Sequence, residues 1–236
     1  MTVTEKPHVI RHYVLASPDI DAVSAQIQSF LKIPQGHRHD MGAILGFRNE
    51  MMMIGQTMFE LVQPVKPDHR LHRWFTEHGG EGGYMIVLQT FDAEAFRERS
   101  AAEKLRLTRD MQFRGQDMIQ FDPKRFGTHF ETYQYSLPNG WWGDPVGRKY
   151  ERSAVASEIV AAEVSVDAAP PAEIAAQIGR LFLSPVKGSD VTFVDKTVRF
   201  RRASGKTGLT ALDFKAIDRK AAGKKASIGG MEFRLV

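Results

Sequence analysis

The first apolar stretch, HVIRHYVLASPDIDAVSAQI (8–27), alternates apolar and polar positions, meets a Pro-Asp turn, and then sets Ile20, Val23, Ile27 and Phe30 at helical spacing. A strand followed by a helix is predicted. GGYMIVLQTFDAEAFRER (82–99) repeats the plan, with Asp92 in the place of Asp19 and Phe96 opening the helical face. Both aspartates suit an N-cap, where a side-chain oxygen accepts from the unpaired N–H groups of the first helical turn. IVAAEVSVDAAPPAEIAAQI (159–178) is a third copy, sharing Ala-Gln-Ile with the first and carrying Pro170 where the aspartate stood. GLTALDFKAIDRKAA (208–222) is a shortened fourth copy with Asp218 in register.

The strands after the helices repeat as well. MFELVQP (58–64) and HFETYQY (129–135) share Phe-Glu-x-x-Gln, which aligns Glu60 with Glu131 and Gln63 with Gln134. Between helix and motif lie short alternating segments, AILGF and MMMIG in one copy, DMQF and DMIQF in the other. The repeating unit is therefore βαβββ, and the fold class is α+β with tandem units and curled mixed sheets. Two units fill 8–136 and two eroded ones fill 156–236. The expected organisation is a first domain over 1–140, a linker over 141–157 that includes WWGDPVGRKYERS, and a second, reduced domain over 158–236.

Composition narrows the classes. The chain has 236 residues, 42% hydrophobic and 25% charged, which argues against wholesale disorder. The absence of cysteine excludes disulfides, thiolate metal sites and a cysteine nucleophile. The net charge of +4 concentrates in the last third (RFRRASGKTG, DRKAAGKKAS), without the aromatic platforms or groove-reading motif of a nucleic-acid binder. No nucleic-acid partner and no membrane association are expected, because nothing approaches spanning length. The start does not read as a signal peptide, so the expected location is cytoplasmic.

The internal repeat singles out four positions. His12 lies seven residues before Asp19 and Met85 seven before Asp92, so the two are equivalent; Glu60 and Glu131 are equivalent through Phe-Glu-x-x-Gln. Paired βαβββ units with His12 on a first strand and Glu60 and Glu131 on last strands resemble the vicinal oxygen chelate superfamily. Within it, FELVQP and WFTEHGGEGGYMIVLQTFD look most like its glyoxalase-like and epimerase-like members. The resemblance implies the glyoxalase/bleomycin resistance/dioxygenase-like fold, in which paired units curl into a cup. It also implies a divalent metal (Zn, Ni, Co, Mn or Fe) at the centre of that cup, one ligand coming from each of four strands. The glyoxalase pattern has a second histidine where this chain has Met85.

A thioether is a poor ligand for those metals. Three readings stay open: a metal held by His12, Glu60 and Glu131 with water or substrate; the same with help from His129, which leaves its strand on the side of Glu131 at roughly 7 Å; or no metal, with Met85 as flexible pocket lining. By resemblance, Glu60 or Glu131 moves a proton beside a metal-stabilised enolate, which is isomerase or lyase chemistry on a small molecule with neighbouring oxygens. The alternative is a metal-free binding protein with Met85, Trp141, Phe130 and Tyr133 lining the cup. Extradiol cleavage ranks behind both, since its metal site uses two histidines.

Other polar clusters read as scaffold. GHRHD (36–40) is expected to be a solvated loop, and DHRLHRWFTEHGG (68–80) a short helix stopped by Gly79 with surface histidines. Glu163 takes the His12 position in the third unit and is a further candidate for substrate binding, whereas the fourth unit has Ala211 there. TVRFRR and GGMEFRLV lack the Phe-Glu-x-x-Gln frame, so the second half is expected to be structural or to form a homodimer.

Overall fold

The computed structural model describes residues 6–135 and 152–236. Unit one runs β1 (Val9–Ala16), α1 (Ile20–Leu31), β2 (His37–Asp40), the one-turn α2 (Gly42–Leu45), β3 (Phe47–Ile54) and β4 (Thr57–Pro64). After α3 (Arg70–His78), unit two runs β5 (Gly82–Thr90), α4 (Ala93–Ala102), β6 (Leu107–Phe113), β7 (Gln116–Phe121) and β8 (His129–Gln134). Unit three comprises β9 (Ala156–Val166), α5 (Pro171–Leu181), β10 (Val186–Lys187), β11 (Asp190–Phe193) and β12 (Lys196–Arg202). Unit four keeps only β13 (Gly208–Ala216), β14 (Lys225–Ile228) and β15 (Met231–Leu235), its helix reduced to a 3-10 turn at Arg219–Ala221. Among the described residues no helix is long and apolar enough to cross a membrane.

The repeated residues explain the repeated elements. Asp19 accepts from the backbone N–H groups of Asp21 and Ala22 at the start of α1, and Asp92 accepts from Ala95 N–H at the start of α4. Asp218 caps the vestigial turn in the same way through Lys220 N–H. The glutamines of the shared motif also tie strand to helix: Gln63 Oε1 accepts from Ile20 N–H at 3.1 Å, and Gln134 Oε1 from Ala93 N–H at 2.6 Å. Ile20 and Ala93 are the first residues of α1 and α4, so each last strand satisfies a free donor of its own unit's helix. Buried Ile20, Val23, Ile27 and Leu31 form the inner stripe of α1.

Two segments differ from the sequence expectation. AILGF, expected to contribute a strand, forms α2 and is closed by Gly46 in a left-handed conformation, while GHRHD, expected to be a loop, supplies the edge strand β2 paired to β3. Gly79 ends α3 with φ +67°, as its position suggests.

In each pair of units the first strands run antiparallel, β1 against β5 and β9 against β13, and each last strand lies parallel to its unit's first strand. One curled sheet follows the order β2-β3-β4-β1-β5-β8-β7-β6 and a second β10-β11-β12-β9-β13-β15-β14; Leu209 of β13 pairs with Gly83 of β5 and makes them continuous. One hydrophobic core serves all four units. Phe233 of unit four meets Phe59 of unit one at 5.5 Å between ring centroids, and Phe182 after α5 meets Phe96 of α4 at 5.3 Å. The expected boundary at 141–157 therefore separates the units in sequence, whereas their cores are shared.

Candidate functional site

The pairing register relates the sequence-predicted positions by a pseudo-twofold axis. His12 stands opposite Val87 and Met85 opposite Val14; Glu60 lies beside Val14 and Glu131 beside Val87. Rotation about an axis between β1 and β5 exchanges each residue with its repeat equivalent. The four side chains share one face of the sheet, because residues two apart on a strand point the same way. All four line a single cavity of about 920 Å³. A bulge on β5 brings Tyr84 into the cavity wall beside Met85, since Leu15 pairs with Gly83 and skips it.

His12 and Glu60 meet at 3.5 Å, Nε2 to Oε2. Asn49 of β3 donates from Nδ2 to Glu60 Oε1 at 2.6 Å, and Gln120 of β7 donates from Nε2 to Glu131 Oε2. Buried Glu131 and partly buried Glu60 are thus each held by one amide. Burial, with a smaller contribution from Glu131, pushes Glu60 up to about 7 against the pull of Asn49. Burial also raises Glu131, opposed by Gln120, Arg70 and Arg109. His12 is lowered to about 3 by burial, so its ring is neutral at ordinary pH. Tyr133, a predicted lining residue that does line the cavity, is raised by burial and by Glu131, and its hydroxyl donates to Met118 Sδ at 3.0 Å.

These residues do not assemble a metal set. Among the described residues no group of three or more His, Asp or Glu side chains is placed to hold a metal ion. Glu60 faces His12, Gln120 engages Glu131, and a thioether stands at position 85. His129 sits beside Met85 just as Met58 sits beside His12, so histidine and methionine have changed places between the two units. The His129 ring lies 4.7 Å from that of Tyr84, is lowered to about 4 by burial and by Arg70 and His78, and does not line the cavity. Neither His12, Glu60 and Glu131, the positions the resemblance implies, nor the same set with His129, added from its strand spacing, forms such a group among the described residues.

Other expectations are corrected by position. Phe130 points to the opposite face from its neighbour Glu131 and stacks on Phe121 in the core at 5.7 Å, so it is not cavity lining. Glu163 belongs to the second curled sheet, where Arg234 Nη2 holds its carboxylate at 3.2 Å. Trp141 and Trp142, with most of the expected linker, lie outside the described residues. His37, His39 and His69 line the cavity although the sequence reading left them on the surface.

Sequence reasoning also overlooked a frame in the second half. Ser165 pairs with Arg201 and Asp213 with Arg234, as Val14 does with Glu60 and Val87 with Glu131. Phe200-Arg201 and Phe233-Arg234 thus take the places of Phe59-Glu60 and Phe130-Glu131. The phenylalanines keep their core role while the outward residue inverts its charge, and that surface carries the pairs Arg234–Glu163 and Arg199–Asp213. Asn49 and Gln120 were legible in principle as polar breaks in apolar strands.

A family model described as a glyoxalase-like domain matches residues 10–182. Among solved structures, a hypothetical protein from Staphylococcus aureus is similar at 14% identity with a TM-score of 0.72, over 97% of this chain and 99% of that one. A hypothetical protein, BH1468, from Bacillus halodurans C-125 is similar at 18% identity with a TM-score of 0.50, over 56% of this chain and 97% of that one. A Streptomyces coelicolor methylmalonyl-CoA epimerase shares 19% identity over 57% of this chain and 100% of that one, with a TM-score of 0.48. No curated protein matches. The first likeness covers all four units and is one of fold.

Proposed function

The chain belongs to the glyoxalase-like domain family of the vicinal oxygen chelate superfamily, and from that premise we propose that its cavity binds a small oxygenated molecule and moves a proton at the carbon next to a carbonyl. The observation that carries this reading is the pair of carboxyl groups facing one cavity, Glu131 buried and Glu60 largely so, with burial raising both and Glu60 to about 7. A base poised near the working pH combines a useful ionised fraction with a useful driving force.

In the proposed step the Glu60 carboxylate takes the proton from the carbon. The electron pair moves into an enolate, with Glu131 across the cavity floor, where burial favours its neutral, hydrogen-bond-donating form. Once Glu60 has swapped its proton with water, return to the same carbon gives exchange; delivery to the former carbonyl carbon, with the hydroxyl proton passing to the enolate oxygen, gives isomerisation. Neutral His12 beside Glu60 orients that carboxyl without adding a charge. No step is routed through a metal, because the described side chains do not form a ligand set.

A second reading, binding without turnover, is favoured by the cavity wall, where Met85 is joined by five other methionines of the chain's ten. Proton NMR in D₂O separates the two. 2-Hydroxyacetophenone, whose CH₂ lies between a carbonyl and a hydroxyl, should lose its CH₂ signal faster than in buffer at about pH 8, and Glu60→Gln should slow this by about 100-fold or more. Equal exchange with wild type and Glu60→Gln would refute the role of Glu60. Binding of the ketone with no exchange would establish the second reading.

A further inference from the structure

The cavity has two chemically distinct zones. Its floor holds Glu60 and Glu131, its walls carry Met41, Met51, Met58, Met85, Met111 and Met118, and its rim includes Arg70, the first residue of α3, and Arg109 of β6. Several arginines of the fold are spent on acids: Arg38 and Arg48 on Asp21, Arg97 on Asp110 and Asp117, Arg180 on Glu103. Among the described residues Arg70 and Arg109 have no carboxylate partner; Arg70 instead lies over the Tyr84 ring, 5.9 Å from its centroid. Lys66 and Arg114 also line the cavity, and among the described residues Asp68 is the one carboxylate there besides Glu60 and Glu131.

We propose that the ligand is an amphipathic anion whose carboxylate or similar oxyanion is held by Arg70 and Arg109 while its apolar body lies against the methionine wall. This rests on the reading of the cavity as a small-molecule site and adds the class of molecule. Two guanidiniums without acidic partners, facing an apolar chamber, match an oxyanion in charge and in donor geometry. Both act on the same neighbours: Arg70 and Arg109 oppose the burial-driven rise of Tyr84 and of Glu131 and add to the burial-driven fall of His129. Unbranched thioether side chains repack around irregular apolar shapes, so the wall recognises bulk and the rim recognises charge.

The probes are 1-naphthylacetate and its neutral isostere 1-naphthylacetamide, titrated calorimetrically into the full chain. Wild type should prefer the acid by about tenfold or more, the size expected of a charge-assisted contact. Arg70→Gln and Arg109→Gln should each weaken acid binding by about that factor and leave the amide within about twofold. The double variant should bind both probes alike. Thermal melting of the variants, whose changed side chains lie at the rim, verifies folding. Equal affinity of wild type for the two probes, no binding of either, or a preference that survives the double variant would overturn the proposal. Because binding alone is read, this result stands apart from whether the wild type exchanges protons through Glu60.

Discussion

Nε2 of His12 lies 3.5 Å from Oε2 of Glu60, and burial moves the two groups in opposite directions, the imidazole down to about 3 and the carboxyl up to about 7. Between the ordinary 4.5 of a glutamate and 7, the folded protein keeps a proton on Glu60 that the unfolded chain has released. Stability supplied by the protonated form is complete below that window and falls as pH rises through it, by on the order of 3 kcal/mol. Glu60→Gln should therefore be more stable than wild type at about pH 8 and match it near pH 4.5. Urea unfolding at both pH values tests this; a gain of the same size at both would show that ionisation is not its origin.

The buried histidines act with the opposite sign. His8, pressed between Phe96 and Phe182 with Nδ1 donating to the Phe182 carbonyl at 3.0 Å, is lowered to about 4 by burial and by Arg99, and His129 is also lowered to about 4. Their neutral forms stabilise the fold above the unfolded value of 6.5, and that contribution is lost as pH falls towards 4. His8→Asn, which can still donate to Phe182, should lose stability less steeply across this range. Melting curves from about pH 4 to 7 should show the shallower slope.

Gly83 marks the seam between the two sheets. A Cβ there would run into the backbone oxygen and side chain of Leu209, the residue that pairs with it. Gly83→Ala should cost about 1–3 kcal/mol by overpacking. Its effect on β5 should also reach Tyr84 and Met85 of the cavity wall, one and two residues further along the strand. Chemical denaturation gives the cost, and a variant as stable as wild type would contradict the close approach.

Gln63 and Gln134 perform equivalent tasks in units one and two. Removal of either acceptor leaves a first-turn helix donor without its partner, so Gln63→Ala and Gln134→Ala should each cost about 1 kcal/mol. Hydrogen exchange should rise first at Ile20 in one variant and at Ala93 in the other. Exchange spread evenly over the fold would contradict this local role.

The pseudo-twofold register makes position 85 the counterpart of position 12. Met85→His would set a second imidazole on the face that carries His12, Glu60 and Glu131, and should raise affinity for Ni²⁺ by about tenfold or more over wild type. Calorimetry measures it. An unchanged affinity in a folded variant would mean that the four positions do not converge closely enough to share an ion.

Most of the fold was legible because its repeat is written in residues with structural duties: Asp19, Asp92 and Asp218 as caps, Gln63 and Gln134 as helix ties, and phenylalanines facing the core. The same pattern located the cavity floor. AILGF misled because a short apolar run fits a strand or a helical turn equally, and Gly46 decides it by closing α2. GHRHD misled because β2 is an edge strand whose residues are mostly polar, which removes the alternation that marks a strand. The Phe-Arg pairs do not stand out in the sequence because arginine replaces the glutamate of the first two units, although the core constrains only the first residue of the pair. Arg70 and Arg109 come from different elements and meet only in the tertiary fold.

Glu60, largely buried at the floor of the cavity, is a carboxyl raised to about 7 by that burial. Carbon-13 NMR of protein labelled at the glutamate side-chain carboxyls, with Glu60→Gln to assign the resonance, measures it directly. The expected midpoint for Glu60 is about 7; a midpoint at or below the ordinary 4.5 would remove the basis for the proposed acid–base role.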